Sequence, residues 1–398
     1  MSKTIEERLT LFDTYLERTG MDKKQYQYDG VRWILNNELR DDPVQNIRGG
    51  IIADEMGLGK TIMMIGTMLC NFVPKTLVVV PPVLIDQWFV QIYRTTGHKA
   101  LIYHGEEKKN TTLEDLQKAK IVICTYAAVT LTRDQIAARE LSDLHKIQWS
   151  RLVCDEAHHL RNAGTTRYFG VRILQANIRW LVTGTPIQNR KKDFYNLCNI
   201  LRLPASFYTD IDALKLQARE FILKRTKKQV GIKIADLFID KNLVNWQNVK
   251  EKELSEELHS ALKFSSARSK SDQIVSAFSS SGFALPIILR ARQSCIYPKL
   301  MAGQLNKLVE AGIMSDYTQY KEAFNCSSKL DYAVKKILDR KDNGCGKIIF
   351  CHFREEIDEI ATRLRSGGMT KVATLDGRTS NRSEEHTSEL QSLRHLVC

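Results

Sequence analysis

Residues Ile51-Ile52-Ala53-Asp54-Glu55-Met56-Gly57-Leu58-Gly59-Lys60-Thr61-Ile62 decide the fold. An apolar strand-type run enters a loop with two glycines, and a Lys-Thr pair opens the segment that follows. Strand, glycine loop and helix in that order are what a phosphate cradle needs. Glycines let backbone N–H groups wrap the phosphates, and the helix N-terminus adds its positive end. The spacing sets Lys60 to reach the β and γ phosphates and the Thr61 hydroxyl to hold Mg²⁺. Gly57 and Gly59 bend the loop. The generic pattern has a further glycine five residues before Gly59, where this chain carries Asp54.

Outward from the loop, short apolar runs recur: Thr76–Val80, Ile121–Cys124, Leu152–Cys154, Trp180–Val182 and Lys347–Cys351. Being apolar throughout, they read as strands buried on both faces of a parallel sheet. Amphipathic segments lie between them, such as Leu113 to Lys118 and Ala137 to Leu144. The alternation predicts an α/β architecture with ligand sites beyond the carboxyl ends of the strands. One strand end carries paired acids, Asp155-Glu156-Ala157-His158. Asp155 suits the Mg²⁺ shell, and Glu156 suits the base that deprotonates an attacking water. From about residue 231 to 328 the texture becomes helical, with a serine-rich stretch at 265–281, before a second α/β pattern opens near Lys329.

At these residues the chain resembles the Swi/Snf branch of superfamily-two helicase-like ATPases. Tyr26-Gln27-Tyr28-Asp29-Gly30 resembles the adenine-side motif, with Gln27 on the base, and residues 54–61 are the family's own form of the phosphate loop. Pro81 with Gln87-Trp88, and Thr125-Tyr126, resemble motifs along the DNA track. Asp155 to Asn162 resembles the acidic box. Leu181-Val182-Thr183-Gly184-Thr185-Pro186-Ile187-Gln188-Asn189 resembles the segment that couples ATP state to DNA contact, which assigns Thr183, Gln188 and Asn189 to coupling.

The resemblance implies two RecA-like P-loop lobes, the second incomplete here, with ATP and Mg²⁺ as ligands. Lys60, Asp155 and Glu156 would be catalytic, and Gln27, Gly57, Gly59, Lys60 and Thr61 would bind the nucleotide. It implies double-stranded DNA as partner through backbone contacts, possible action on nucleosomes or other DNA-bound proteins, and a nuclear or viral-factory location. On this reading residues 1–19 are an N-terminal extension, 20–230 the first lobe, 231–328 a helical connector and 329–381 the opening of the second lobe. A strand-separating helicase carries related motifs and stays open. So does a bare ATP- or DNA-binding fragment, because the late spaced-arginine motif is not found. Residues Arg382 to Ser392 are the in-frame translation of a sequencing-library adapter, so genuine protein is expected to stop near Asn381.

Composition agrees. The 398 residues are 43% hydrophobic and 26% charged, which excludes a disordered or collagen-like chain. Lys+Arg 59 against Asp+Glu 46 gives +13, a balance suited to a polyanion. No apolar run approaches the ~18 residues of a membrane span. The nine cysteines form no Cys-x-x-Cys pair, so reduced core thiols are expected rather than structural zinc or disulfides.

Overall fold

The structure, a computed structural model, describes residues 3–186, 190–233, 236–260 and 284–378. Strands form where the chain is apolar on both sides: β1 (Arg48–Ile52), β2 (Thr76–Val80), β3 (Leu101–Tyr103), β4 (Ile121–Thr125), β5 (Gln148–Asp155), β6 (Gln175–Val182) and β7 (Ile222–Leu223). They make one parallel sheet in the order β3-β4-β2-β5-β6-β1-β7. Successive side chains alternate between two cores. Leu77, Val79, Leu152 and Cys154 face one layer, while Val78, Val80, Val153 and Val182 face the other. Hence the unbroken apolar runs: neither face of a central strand meets water.

Helices cover both faces: α1 (Ile5–Thr19), α2 (Gln25–Leu39), α3 (Lys60–Cys70), α4 (Ile85–Thr96), α5 (Gly105–Asn110), α6 (Leu113–Lys118), α7 (Arg133–Ala137), α8 (Thr166–Ile173), α9 (Lys191–Ile200), α10 (Ala205–Thr209) and α11 (Ile211–Phe221). Helix α1 starts on a capping box between Thr4 and Glu7 and ends at Gly20 in the left-handed region. It buries Leu9, Phe12 and Leu16 in the core shared with α2 and α3. Residues 1–19 are therefore no appended extension in their helical part, because that helix supplies core. Behind the sheet, Glu38 of α2 is fully buried and binds Arg151 Nε at 2.7 Å, Asn71 Nδ2 at 2.7 Å and Trp180 Nε1 at 2.8 Å. Four separate elements are pinned by one carboxylate.

Two expectations change, and two short strands are added. The segment Ala137 to Leu144 is not a helix. A Thr132–Gln135 capping box starts α7 earlier, and Arg139 at φ 58° leaves the helical region. Strands β3 and β7, three and two residues long, are too short to stand out from periodicity. Lys347–Cys351 is extended chain without ladder pairing, and Phe350 is 79% exposed. No strand lies beside it among the described residues, and an apolar run becomes a strand only when its backbone is paired.

The chain divides into two compact units, breaking after Asp236. The described part of the second is helical, with Val249–Ser260, Ala284–Ile296, Ala302–Glu310, Ser328–Leu338 and Arg354–Ser366 as its main helices. It holds two apolar clusters, one around Leu258, Met301 and Leu305, the other around Leu330, Ile360 and Leu364. The residues expected as connector and those expected to open a second lobe thus fall within one unit. The serine-rich stretch at 265–281 and the tail at 382–398 lie outside the described residues.

Candidate nucleotide-binding site

Chain reversal at the carboxyl end of β1 begins with Asp54, which is buried and ion-paired with Arg225. The Asp54 carboxylate accepts the Arg225 main-chain N–H at 2.8 Å and the guanidinium Nη2 at 2.5 Å. Arg225 also donates to the Tyr26 carbonyl at 2.5 Å, and the Glu55 carboxylate accepts the Lys227 N–H at 2.7 Å. The departure from glycine at position 54 thus has a physical reason. An acid there staples the phosphate loop to the strand end at 222–227 and to the start of α2.

Beyond Asp54 the loop turns through Gly57 (φ 88°) and Gly59 (φ 81°), both in the left-handed region. A Cβ on Gly59 would lie 2.3 Å from Gln27 Nε2, so a side chain there would have to push that amide aside. Gln27 in turn donates to the Leu58 carbonyl at 3.2 Å. Gly59 is the N-cap of α3, and no side chain caps that helix end. With no side-chain cap, the positive end of the helix suits a phosphate. Lys60, first residue of α3, donates Nζ–H to the Asp54 carbonyl at 3.0 Å, and Thr61 follows half-buried.

The end of β5 lies two strands from β1 in the sheet, with β6 between them. Asp155 is 5% exposed, and its Oδ1 accepts the Glu156 N–H at 2.9 Å. Burial pushes its carboxyl up to about 6, against the Trp88 hydrogen bond and the Lys60 charge, which pull it down. Glu156 has φ 49° and ψ 46°, a left-handed conformation unusual for a side chain of its size. That backbone turns its carboxylate away from the strand direction and sets it 3.0 Å from His158 Nδ1.

From β6, the Thr183 N–H binds the Ile52 carbonyl at 3.0 Å, and Thr183 Oγ1 accepts the Thr185 N–H at 3.2 Å. A Cβ on Gly184 would come 3.5 Å from Lys60 Nζ. The Thr183-Gly184 turn is therefore seated against the phosphate loop. Gln188 and Asn189 lie outside the described residues.

The residues expected on the DNA track divide. Pro81 is half-buried, and the turn after it exposes Val83. Trp88 and Thr125 are buried, so neither side chain is itself open to a macromolecule. Trp88 instead donates its indole N–H to Asp155 Oδ2 at 2.8 Å. Arg225 is likewise paired within the site, to Asp54. The motifs place Asp54 in the loop but do not mark Arg225 as its partner. The signal for a partner was present, since an ionisable residue replacing a loop glycine needs a partner of opposite charge.

A family model described as "SNF2-related domain" matches residues 26–272. The "Probable global transactivator" of Orgyia pseudotsugata multicapsid polyhedrosis virus is 28% identical over 362 residues, covering 87% of this chain and 69% of its own. "Chromodomain-helicase-DNA-binding protein 7" of Homo sapiens is 25% identical over 374 residues, and there the match spans 87% of this chain and 11% of the relative. Among solved structures, "Sulfolobus solfataricus SWI2/SNF2 ATPase core in complex with dsDNA" is similar at 23% identity and a TM-score of 0.45, covering 93% of this chain and 75% of that one.

Proposed function

The chain belongs to the SNF2-related family of Swi/Snf helicase-like ATPases, and from that premise we propose that it forms the ATP-hydrolysing core of a motor translocating on double-stranded DNA. The motor would shift or displace DNA-bound protein, nucleosomes included, rather than separate strands. One observation carries this reading. The carboxyl ends of β1, β5 and β6 gather the α3 N-terminus without a side-chain cap, Lys60 and Thr61, the buried acid Asp155, and the Thr183-Gly184 turn against the loop.

In the proposed division of work, the α3 N-terminus and Lys60 bind the phosphates, and Gln27 borders the adenine side. Thr61 and Asp155 would hold Mg²⁺, which when bound neutralises phosphate charge. Glu156 would take the proton of the attacking water. Support for a DNA partner comes from the basic balance of the chain and from the relative named above as a chromodomain-helicase-DNA-binding protein.

Glu156→Gln tests the assignment. The variant is expected to bind ATP as the parent does while hydrolysis falls by a factor on the order of 10²–10⁴. Hydrolysis that persists undiminished would remove Glu156 from the role of base. On duplex DNA, movement is expected to displace a third strand laid in the major groove without releasing either strand of the duplex. Release of a duplex strand would instead favour a strand-separating helicase.

A further inference from the structure

Two aromatic side chains from different elements donate hydrogen bonds to Asp155. Trp88, on α4, is wholly buried and gives its indole N–H to Oδ2 at 2.8 Å. Tyr126, directly after β4, is buried and gives its hydroxyl to the Asp155 main-chain carbonyl at 2.6 Å. With the Glu156 N–H on Oδ1, the carboxylate plane and the peptide that carries it are both fixed. At Tyr126 packing alone does not require the donor, because phenylalanine fills that place nearly as well; Trp88 fills a larger buried space and donates besides. A buried N–H or O–H must find an acceptor, and both have found the same residue.

We infer that Trp88 and Tyr126 are positioning residues for the Mg²⁺ shell, an inference that rests on the ATP-site reading above. Groups bonded to a metal-binding carboxylate set the direction of its lone pairs, and their loss typically lowers metal affinity 10–100-fold. The arrangement also links surface to site. Helix α4 begins two residues after the exposed Val83, at the carboxyl end of β2, and carries Trp88 on its first turn. Tyr126 follows directly on the carboxyl end of β4. A displacement of either strand end therefore reaches Asp155 through one hydrogen bond.

The test uses the full chain and a fluorescent, slowly hydrolysed ATP analogue, titrated in EDTA and across a Mg²⁺ series. Trp88→Phe should leave affinity in EDTA unchanged and raise the half-maximal Mg²⁺ concentration about 10-fold. Tyr126→Phe removes one oxygen with little risk to folding and should move the same midpoint in the same direction by less. Asp155→Asn should abolish the gain from Mg²⁺. Equal midpoints in parent and both phenylalanine variants would overturn the inference, as would an equal loss of affinity with and without metal, which marks a packing defect. A parent that gains nothing from Mg²⁺ would overturn the ATP-site reading itself, an outcome distinct from the other two.

Discussion

Removing Arg225 isolates what holds the phosphate loop. Arg225→Ala leaves the Asp54 carboxylate buried with one remaining bond, the main-chain N–H at 2.8 Å. It also frees the Tyr26 carbonyl at the start of α2. Breaking a fully buried ion pair from one side costs about 3–5 kcal/mol. The Arg225 side chain is 18% exposed while that of Asp54 is 0% exposed, so water can enter from the arginine side. The lower end, about 3 kcal/mol, is the expected loss. For a unit of this size ~1 kcal/mol corresponds to about 2–4 °C, so the first unit should melt roughly 6–12 °C lower. Arg225→Lys keeps the charge and loses the planar fork, and should fall between parent and alanine variant. Scanning calorimetry reads both. A double change, Asp54→Gly with Arg225→Ala, removes the stranded acid and should be less damaging than the sum of the single changes. If Arg225→Ala melts within about 2 °C of the parent, or the double change is strictly additive, the ion pair is not what organises the loop.

Other outcomes follow from particular contacts. Glu38→Ala strands the Arg151 guanidinium, whose side chain is 1% exposed, and should cost about 3–5 kcal/mol in urea unfolding, more than Glu38→Gln, which keeps the shape and part of the bonding. Gly59→Ala forces a side chain into the left-handed region and against Gln27, so nucleotide affinity should fall more than global stability, which should change by about 1–2 kcal/mol. His145 sits between Ser142 Oγ at 2.7 Å and the Gly170 carbonyl at 3.0 Å, and burial holds its pKa below the ordinary imidazole value. The unfolded chain therefore binds that proton first, and stability should fall as pH drops through about 6.5. His145→Gln should lessen the slope of stability against pH between 7 and 5, by at most about 1.4 kcal/mol per pH unit.

Much of the first unit was legible because its central strands are buried on both faces and announce themselves as apolar runs. Thr76–Val80 and Ile121–Cys124 become β2 and, with Thr125 added, β4. The phosphate loop was legible for a different reason: glycine, lysine and threonine there serve backbone geometry and charge, which spacing records directly. What a motif does not record is which way each side chain turns. Pro81 and Trp88 belong to one motif, yet one borders the exposed turn and the other ends on Asp155. The Glu38–Arg151 pair joins positions 113 residues apart, and no local pattern marks such a pair. Lys347–Cys351 shows the converse limit, since apolar residues suffice for a strand-like reading while pairing depends on a neighbour.

The costs in this fold are unevenly placed. Through most of the sheet, apolar strands alternate between two dry cores, and the buried charges of Glu38 and Arg151 neutralise each other. At the end of β5 the chain instead accepts an anion in a buried place and, one residue later, a left-handed glutamate. A non-glycine residue there costs roughly 1–2 kcal/mol, and burial disfavours the ionised carboxylate of Asp155. Three hydrogen-bond donors from three positions converge on Asp155 and offset part of that cost. Such strain persists only where the surroundings over-determine it. Here they do: Trp88 and Tyr126 hold the acid from two separate elements, and a bound divalent cation would supply the charge that its surroundings lack. The stability given up at Asp155 and Glu156 is thus best understood as the condition for presenting two carboxylates in fixed, different directions at one strand end.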